Sequence, residues 1–76
     1  MDKDYTKAEI ALLKRIGANI KKYRKDADLA QEVLAFESGL DRAYTGRVER
    51  GEMNISILKL KKLADALKID VSKLLK

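Results

Sequence analysis

Apolar residues return three and four positions apart along nearly the whole chain, and no stretch alternates apolar with polar residues as a half-buried strand would. Ile10, Leu13, Ile16, Ile20, Tyr23 and Ala27 mark one buried stripe, which predicts a helix over residues 7–26. Thr6 and Glu9 open it as a capping box, in which the hydroxyl and the carboxylate each take a free amide of the helix start. Gly17 lies inside this helix and leaves two readings open: close approach of another helix, or a break into two shorter ones. After the turn at Asp26-Ala27-Asp28, Leu29 is expected to plug the core. Leu34, Ala35 and Ser38 then share one face of a second helix over residues 31–38. Ala30 stands where Ser, Thr or Asn would cap that helix, an absence that typically costs about 1 kcal/mol.

Gly39 supplies a sharp turn, Leu40 plugs the core behind it, and the Asp41 carboxylate caps a third helix from Arg42 to about Arg50, ended by Gly51. Ser56 caps a fourth, residues 57–67, whose stripe is Ile57, Leu60, Leu63, Ala64 and Leu67. Asp70 starts a short fifth helix, Val71 to Lys76, carrying Val71, Leu74 and Leu75. The pattern predicts an all-α, five-helix bundle with a central helix-turn-helix, one domain over residues 1–76 whose first six residues are expected to be flexible.

The stretch from Gln31 to Gly51 organises the rest. On a wheel of about 100° per residue, Arg42, Ala43, Gly46, Arg47 and Arg50 fall in one arc of roughly 140°. Tyr44, Thr45, Val48 and Glu49 fill the remainder. One face is therefore cationic and sterically open, and the other is able to pack. Two uses fit such a face: a solvated side of a small bundle, or insertion into a DNA major groove, where arginine donates twice to a guanine edge.

Charge and composition narrow the classes. Seventeen Lys and Arg against twelve Asp and Glu leave a net charge of +5, which draws a small domain to polyanions, nucleic acid first and anionic membrane second. Without Cys or His the chain has no disulfide, lacks the usual transition-metal ligands, and lacks the key residues of nucleophilic catalysis by Cys or by Ser with His. No carboxylate pair stands in a magnesium-site pattern. No metal, cofactor or small-molecule ligand is expected, and neither is an enzyme. No apolar run reaches the roughly twenty residues of a membrane span and no signal peptide opens the chain, so a cytoplasmic location is expected.

At Gln31, Ala35, Gly39 and Val48 the spacing resembles the helix-turn-helix signature of the lambda-repressor and Cro-like regulators. The run Leu40-Asp41-Arg42-Ala43-Tyr44, Val48-Glu49-Arg50-Gly51-Glu52 and Asn54-Ile55-Ser56 is similar to the controller proteins of restriction–modification systems, which are small dimeric regulators. The resemblance covers about residues 16–75. Four departures stand out. Ala30 replaces the family's Ser or Thr, and Thr45 its aliphatic residue; controller proteins commonly carry Thr in place of Ala43 and a small residue in place of Arg47. Base preference is therefore expected to differ from theirs. The first fifteen residues exceed the family's start and have no assignment from it.

The resemblance implies that Arg42, Ala43, Tyr44 and Arg47 enter the major groove. Arg42 is suited to a guanine and Ala43 to a thymine methyl. Tyr44 has two readings, a DNA contact through its hydroxyl or a core aromatic at the helix edge, and Arg47 is suited to base or phosphate. Gln31, Asn54 and Ser56 match the family's phosphate clamps, with Lys59 beside them. For Ser56, plain N-capping is a compatible role. Arg24 and Glu49 match a buried ion pair that joins the first helix to the third, an architectural role. Phe36 is expected to shield the rim of the bundle.

A recognition helix spans only a few base pairs, so useful affinity needs two half-sites and a symmetric dimer. Ile69, Val71, Leu74 and Leu75 are expected at the dimer interface, as in the resembling proteins; the alternative is that they close the monomer core. The reading is a homodimeric, sequence-specific DNA-binding regulator of transcription, in the setting of a restriction–modification operon. An antitoxin, a phage-type repressor, or a helical protein-interaction module that does not read DNA are the alternatives.

Overall fold

Every α-helix among the described residues stops in the same way, and those stops bend the chain into its fold. A computed structural model describes residues 4–76, and Met1, Asp2 and Lys3, half of the stretch expected to be flexible, lie outside the described residues. Four α-helices follow one another, α1 Lys7–Asp26, α2 Gln31–Ser38, α3 Arg42–Glu49 and α4 Ile57–Leu67, and a single 3₁₀ turn, Val71–Leu74, closes the chain. Among the described residues there is no strand. The fifth helix expected over residues 71–76 is thus only this turn. Four residues are too few to complete α-helical pairing, and the Asp70 carboxylate caps them by accepting from the Ser72 amide at 2.9 Å.

α1 is unbroken through Gly17. Its start is the capping box: the Glu9 amide donates to the Thr6 hydroxyl at 3.1 Å, and the Thr6 amide donates to the Glu9 carboxylate at 2.8 Å. Thr6 is therefore held, although it falls in the stretch expected to be flexible. α2 starts at Ala30 with no side-chain cap. α3 and α4 are capped by Asp41 and Ser56, which accept from the amides of Tyr44 and Lys59, each at 3.1 Å.

At each helix end two amides fold back on the last turn. Asp28 and Leu29 donate to the carbonyls of Lys25 and Arg24, Gly39 and Leu40 to Phe36 and Ala35, Gly51 and Glu52 to Val48 and Arg47, and Lys68 and Ile69 to Asp65 and Ala64. This closure needs one left-handed residue, with the following residue turned back toward the helix. The left-handed residues are Gly39, Gly51 and, at a steric cost, Asp28 and Lys68, with φ of 59° and 60° for the last two. Leu29, Leu40 and Ile69 follow three of them and pack against the core.

That core comprises Ile16, Ile20, Leu34, Val48, Leu60, Leu63, Ala64, Leu67 and Leu74. Of the expected stripes, Tyr23 is half-buried and packs against this core, and four further members lie outside it. Ile10 and Leu13, on the first two turns of α1, are only half-buried, and Leu13 borders Asn54 of the loop before α4. Ala27 is exposed because it caps the end of α1, beyond the packed turns. Ile57 is 60% exposed because it is the first residue of α4 and overhangs the core. Phe36 is 86% exposed and shields nothing, contrary to expectation: it points away from the face that buries Leu34, Ala35 and Ser38. Asn19 ties the end of the chain back, donating from Nδ2 to the Leu74 carbonyl at 3.1 Å.

Candidate nucleic-acid interface

The third helix is fixed from behind before anything can approach its front. Gly17 brings α1 against its C-terminal turn so closely that a Cβ there would lie 2.4 Å from the Val48 carbonyl oxygen and 2.5 Å from that of Glu49. Two turns further along α1, buried Arg24 donates from Nε to Glu49 Oε2 at 2.6 Å and from Nη2 to Oε1 at 3.1 Å. Its Nη1 donates to the Leu29 carbonyl at 2.8 Å, just ahead of α2. Gln31, the first residue of α2, adds a bond from Nε2 to Glu49 Oε1 at 2.9 Å. One carboxylate thus gathers donors from α1 and α2 onto α3, and no buried side-chain polar atom among the described residues lacks a partner. Thr45 follows the same rule. Its buried hydroxyl donates to the Asp41 carbonyl at 2.9 Å, which satisfies the polar group that departs from the family's aliphatic residue.

The front of α3 is narrower than the wheel suggests. Gly46 is buried, with the Arg50 Nη1 and the Gln31 Oε1 each 3.4 Å from where its Cβ would be. Ala43, Arg47 and Arg50 remain exposed, and Arg42 stands exposed at the helix start. Tyr44 bounds this face toward α4. It is half-buried against the core, and the Lys59 ammonium lies 4.7 Å from its ring centre. Tyr44 therefore packs as an edge aromatic, and Lys59 lies on its ring.

Around the face, Ser56 uses its oxygen as a cap acceptor and keeps its hydroxyl proton for another partner. Asn54 is exposed in the loop before it, beside Tyr5, Glu9, Leu12 and Leu13. Of the four residues expected at a dimer interface, Leu74 is wholly buried and closes the monomer core instead. Ile69 and Val71 are half-buried, and Leu75 is exposed.

The helical wheel places Arg50 on the cationic face but gives it no partner, and periodicity gives Glu52 no role at all. In the fold the two meet. The Glu52 carboxylate accepts from Arg50 Nε at 2.9 Å and Nη2 at 3.4 Å, and lies 3.7 Å from Arg47 Nε. The hydrogen bond from Arg50 holds the Glu52 carboxyl below its usual range. The one signal in the sequence is a charged residue directly after Gly51, where the other helix ends carry an aliphatic one.

A short helix capped by an acid, braced from behind and cationic in front, follows a second helix across a tight glycine turn, and a helix-turn-helix family model matches residues 20–74. The chain belongs to this helix-turn-helix family. Within it, the chain is 47% identical over 60 residues to the control protein C.SmaI of Serratia marcescens, covering 79% of this chain and 71% of that one. The restriction–modification controller protein C.AhdI of Aeromonas hydrophila superposes with a TM-score of 0.82 at 47% identity, covering 84% of this chain and 97% of that one. The controller protein C.Esp1396I, solved as a tetramer with its natural 35-base-pair operator, gives a TM-score of 0.74 at 32% identity, over 86% of this chain and 96% of that one. No helix among the described residues is long and apolar enough to cross a membrane.

Proposed function

We propose that this protein is a cytoplasmic, sequence-specific regulator of transcription that binds an operator with two half-sites as a homodimer and controls a restriction–modification operon. The observation that carries this reading is the exposed Ala43–Arg47–Arg50 face on a helix whose opposite side is locked through Glu49. Arg42, Ala43 and Arg47 read base edges, and Tyr44, whose ring packs at the helix edge, adds a DNA contact through its hydroxyl. Gln31, Asn54, Ser56 and Lys59 engage the sugar–phosphate backbone on either side. Occupancy alone regulates, by blocking or recruiting polymerase, and no covalent step is needed.

Support for pairing comes from apolar surface left uncovered near the end of the chain at Ile69, Val71 and Leu75. Leu74 takes no part, being buried in the monomer.

A gel-shift titration with DNA from upstream of the gene tests the reading. Binding is expected to depend on sequence and to weaken with salt. Arg42→Ala is expected to relax preference at one position by about 1–3 kcal/mol, and Gln31→Ala to weaken all sequences alike. Equal binding to every duplex would refute sequence-specific regulation.

A further inference from the structure

All four α-helix ends share one closure, yet only one of them puts a charge where the others put an aliphatic side chain. Leu29, Leu40 and Ile69 turn inward, whereas Glu52 turns onto the outer side of α3, against its two terminal arginines. Its position is set by backbone. The Glu52 amide donates to the Arg47 carbonyl at 2.9 Å, Gly51 holds φ at +76°, and this turn is seated so tightly on α1 that a Cβ on Gly51 would lie 2.7 Å from the Lys14 Cα.

We propose that Glu52 acts as an internal competitor for DNA: its carboxylate occupies the Nε–Nη2 edge of Arg50, with Arg47 at its margin, and lowers the affinity of this face for every duplex. The inference rests on the DNA-binding reading. The edge that Glu52 takes is the one a phosphate or a guanine would take in bidentate fashion. The side chains of Arg47, Arg50 and Glu52 are 55%, 59% and 44% exposed, so the pair is exchangeable rather than locked. Exposed pairs of this kind are weak, and a phosphate array can displace them. Displacement leaves a carboxylate facing the DNA backbone, a repulsion that every duplex meets. The charge-dependent part of binding is therefore reduced on matched and unmatched DNA alike.

The test compares wild type with Glu52→Gln, on DNA from upstream of the gene and on a shuffled duplex of the same composition, across a salt series by fluorescence anisotropy. Glu52→Gln is expected to bind the shuffled duplex about three- to tenfold more tightly at physiological salt and to steepen the salt slope by about one. Affinity for the upstream duplex is expected to rise by a comparable factor, because both duplexes carry the same cost. In an Arg50→Met background the gain shrinks. A Glu52→Gln protein that loses affinity for the upstream duplex at unchanged slope, or one that behaves as wild type, would overturn the inference while leaving DNA binding intact. A wild-type protein that binds neither duplex would overturn the DNA-binding reading itself.

Discussion

The ammonium of Lys59 lies 4.7 Å from the centre of the Tyr44 ring, joining the start of α4 to the edge of α3. A cation at this distance is attracted by the ring's electron-rich face, by roughly 0.5–1 kcal/mol at an exposed site. A double-mutant cycle of Lys59→Gln and Tyr44→Leu, measured by urea unfolding, is expected to give a coupling in that range. A coupling indistinguishable from zero would show that the ring is held by the core alone.

The buried Arg24–Glu49 pair makes a sharper prediction. Glu49→Ala strands a buried guanidinium and removes the acceptor of Gln31, so it is expected to destabilise by about 3–5 kcal/mol. Replacing both charges, as Arg24→Met with Glu49→Leu, is expected to cost less than the single change. Equal losses in the two proteins, measured by chemical denaturation, would contradict this.

Two glycines, one behind α3 and one within it, should respond in opposite ways to alanine. At Gly17 the new methyl meets the carbonyl oxygens of Val48 and Glu49 at 2.4 and 2.5 Å, so backbone must move and about 1–3 kcal/mol is lost. At Gly46 the nearest atoms are side-chain ends at 3.4 Å, and the helix gains up to about 1 kcal/mol from alanine's propensity. Thermal unfolding of the two variants gives the comparison directly.

Lys68 holds a left-handed conformation, φ 60°, at the end of α4. Lys68→Gly removes the Cβ clash and is expected to stabilise by about 1 kcal/mol, less the entropy glycine adds to the unfolded chain. A lower melting temperature would mean that the lysine side chain contributes more than its strain.

Much of this architecture is legible in the chain. The apolar spacing locates the four α-helices, because burial of one stripe per helix imposes that spacing, and Thr6, Asp41 and Ser56 mark the starts of three of them. The closure at Lys68 is not legible, since no glycine signals it. Nor is the end of the apolar stripe at Ile57, because periodicity runs on past the point where the core stops. Gly46 misleads for a related reason: a wheel gives an angle, while cover depends on Gln31 reaching across from the neighbouring helix. Glu52 escapes because its meaning lies in contrast with three other helix ends, a comparison available only once their closures are seen.

The seat of α1 at Gly17 and the reach of Arg24 to both Leu29 and Glu49 have a dynamic corollary. Eight residues of α3 are too short to persist as an isolated helix in water. Its amides should therefore exchange with solvent only as fast as the whole molecule opens, and a partly unfolded population that still recognises DNA should not exist.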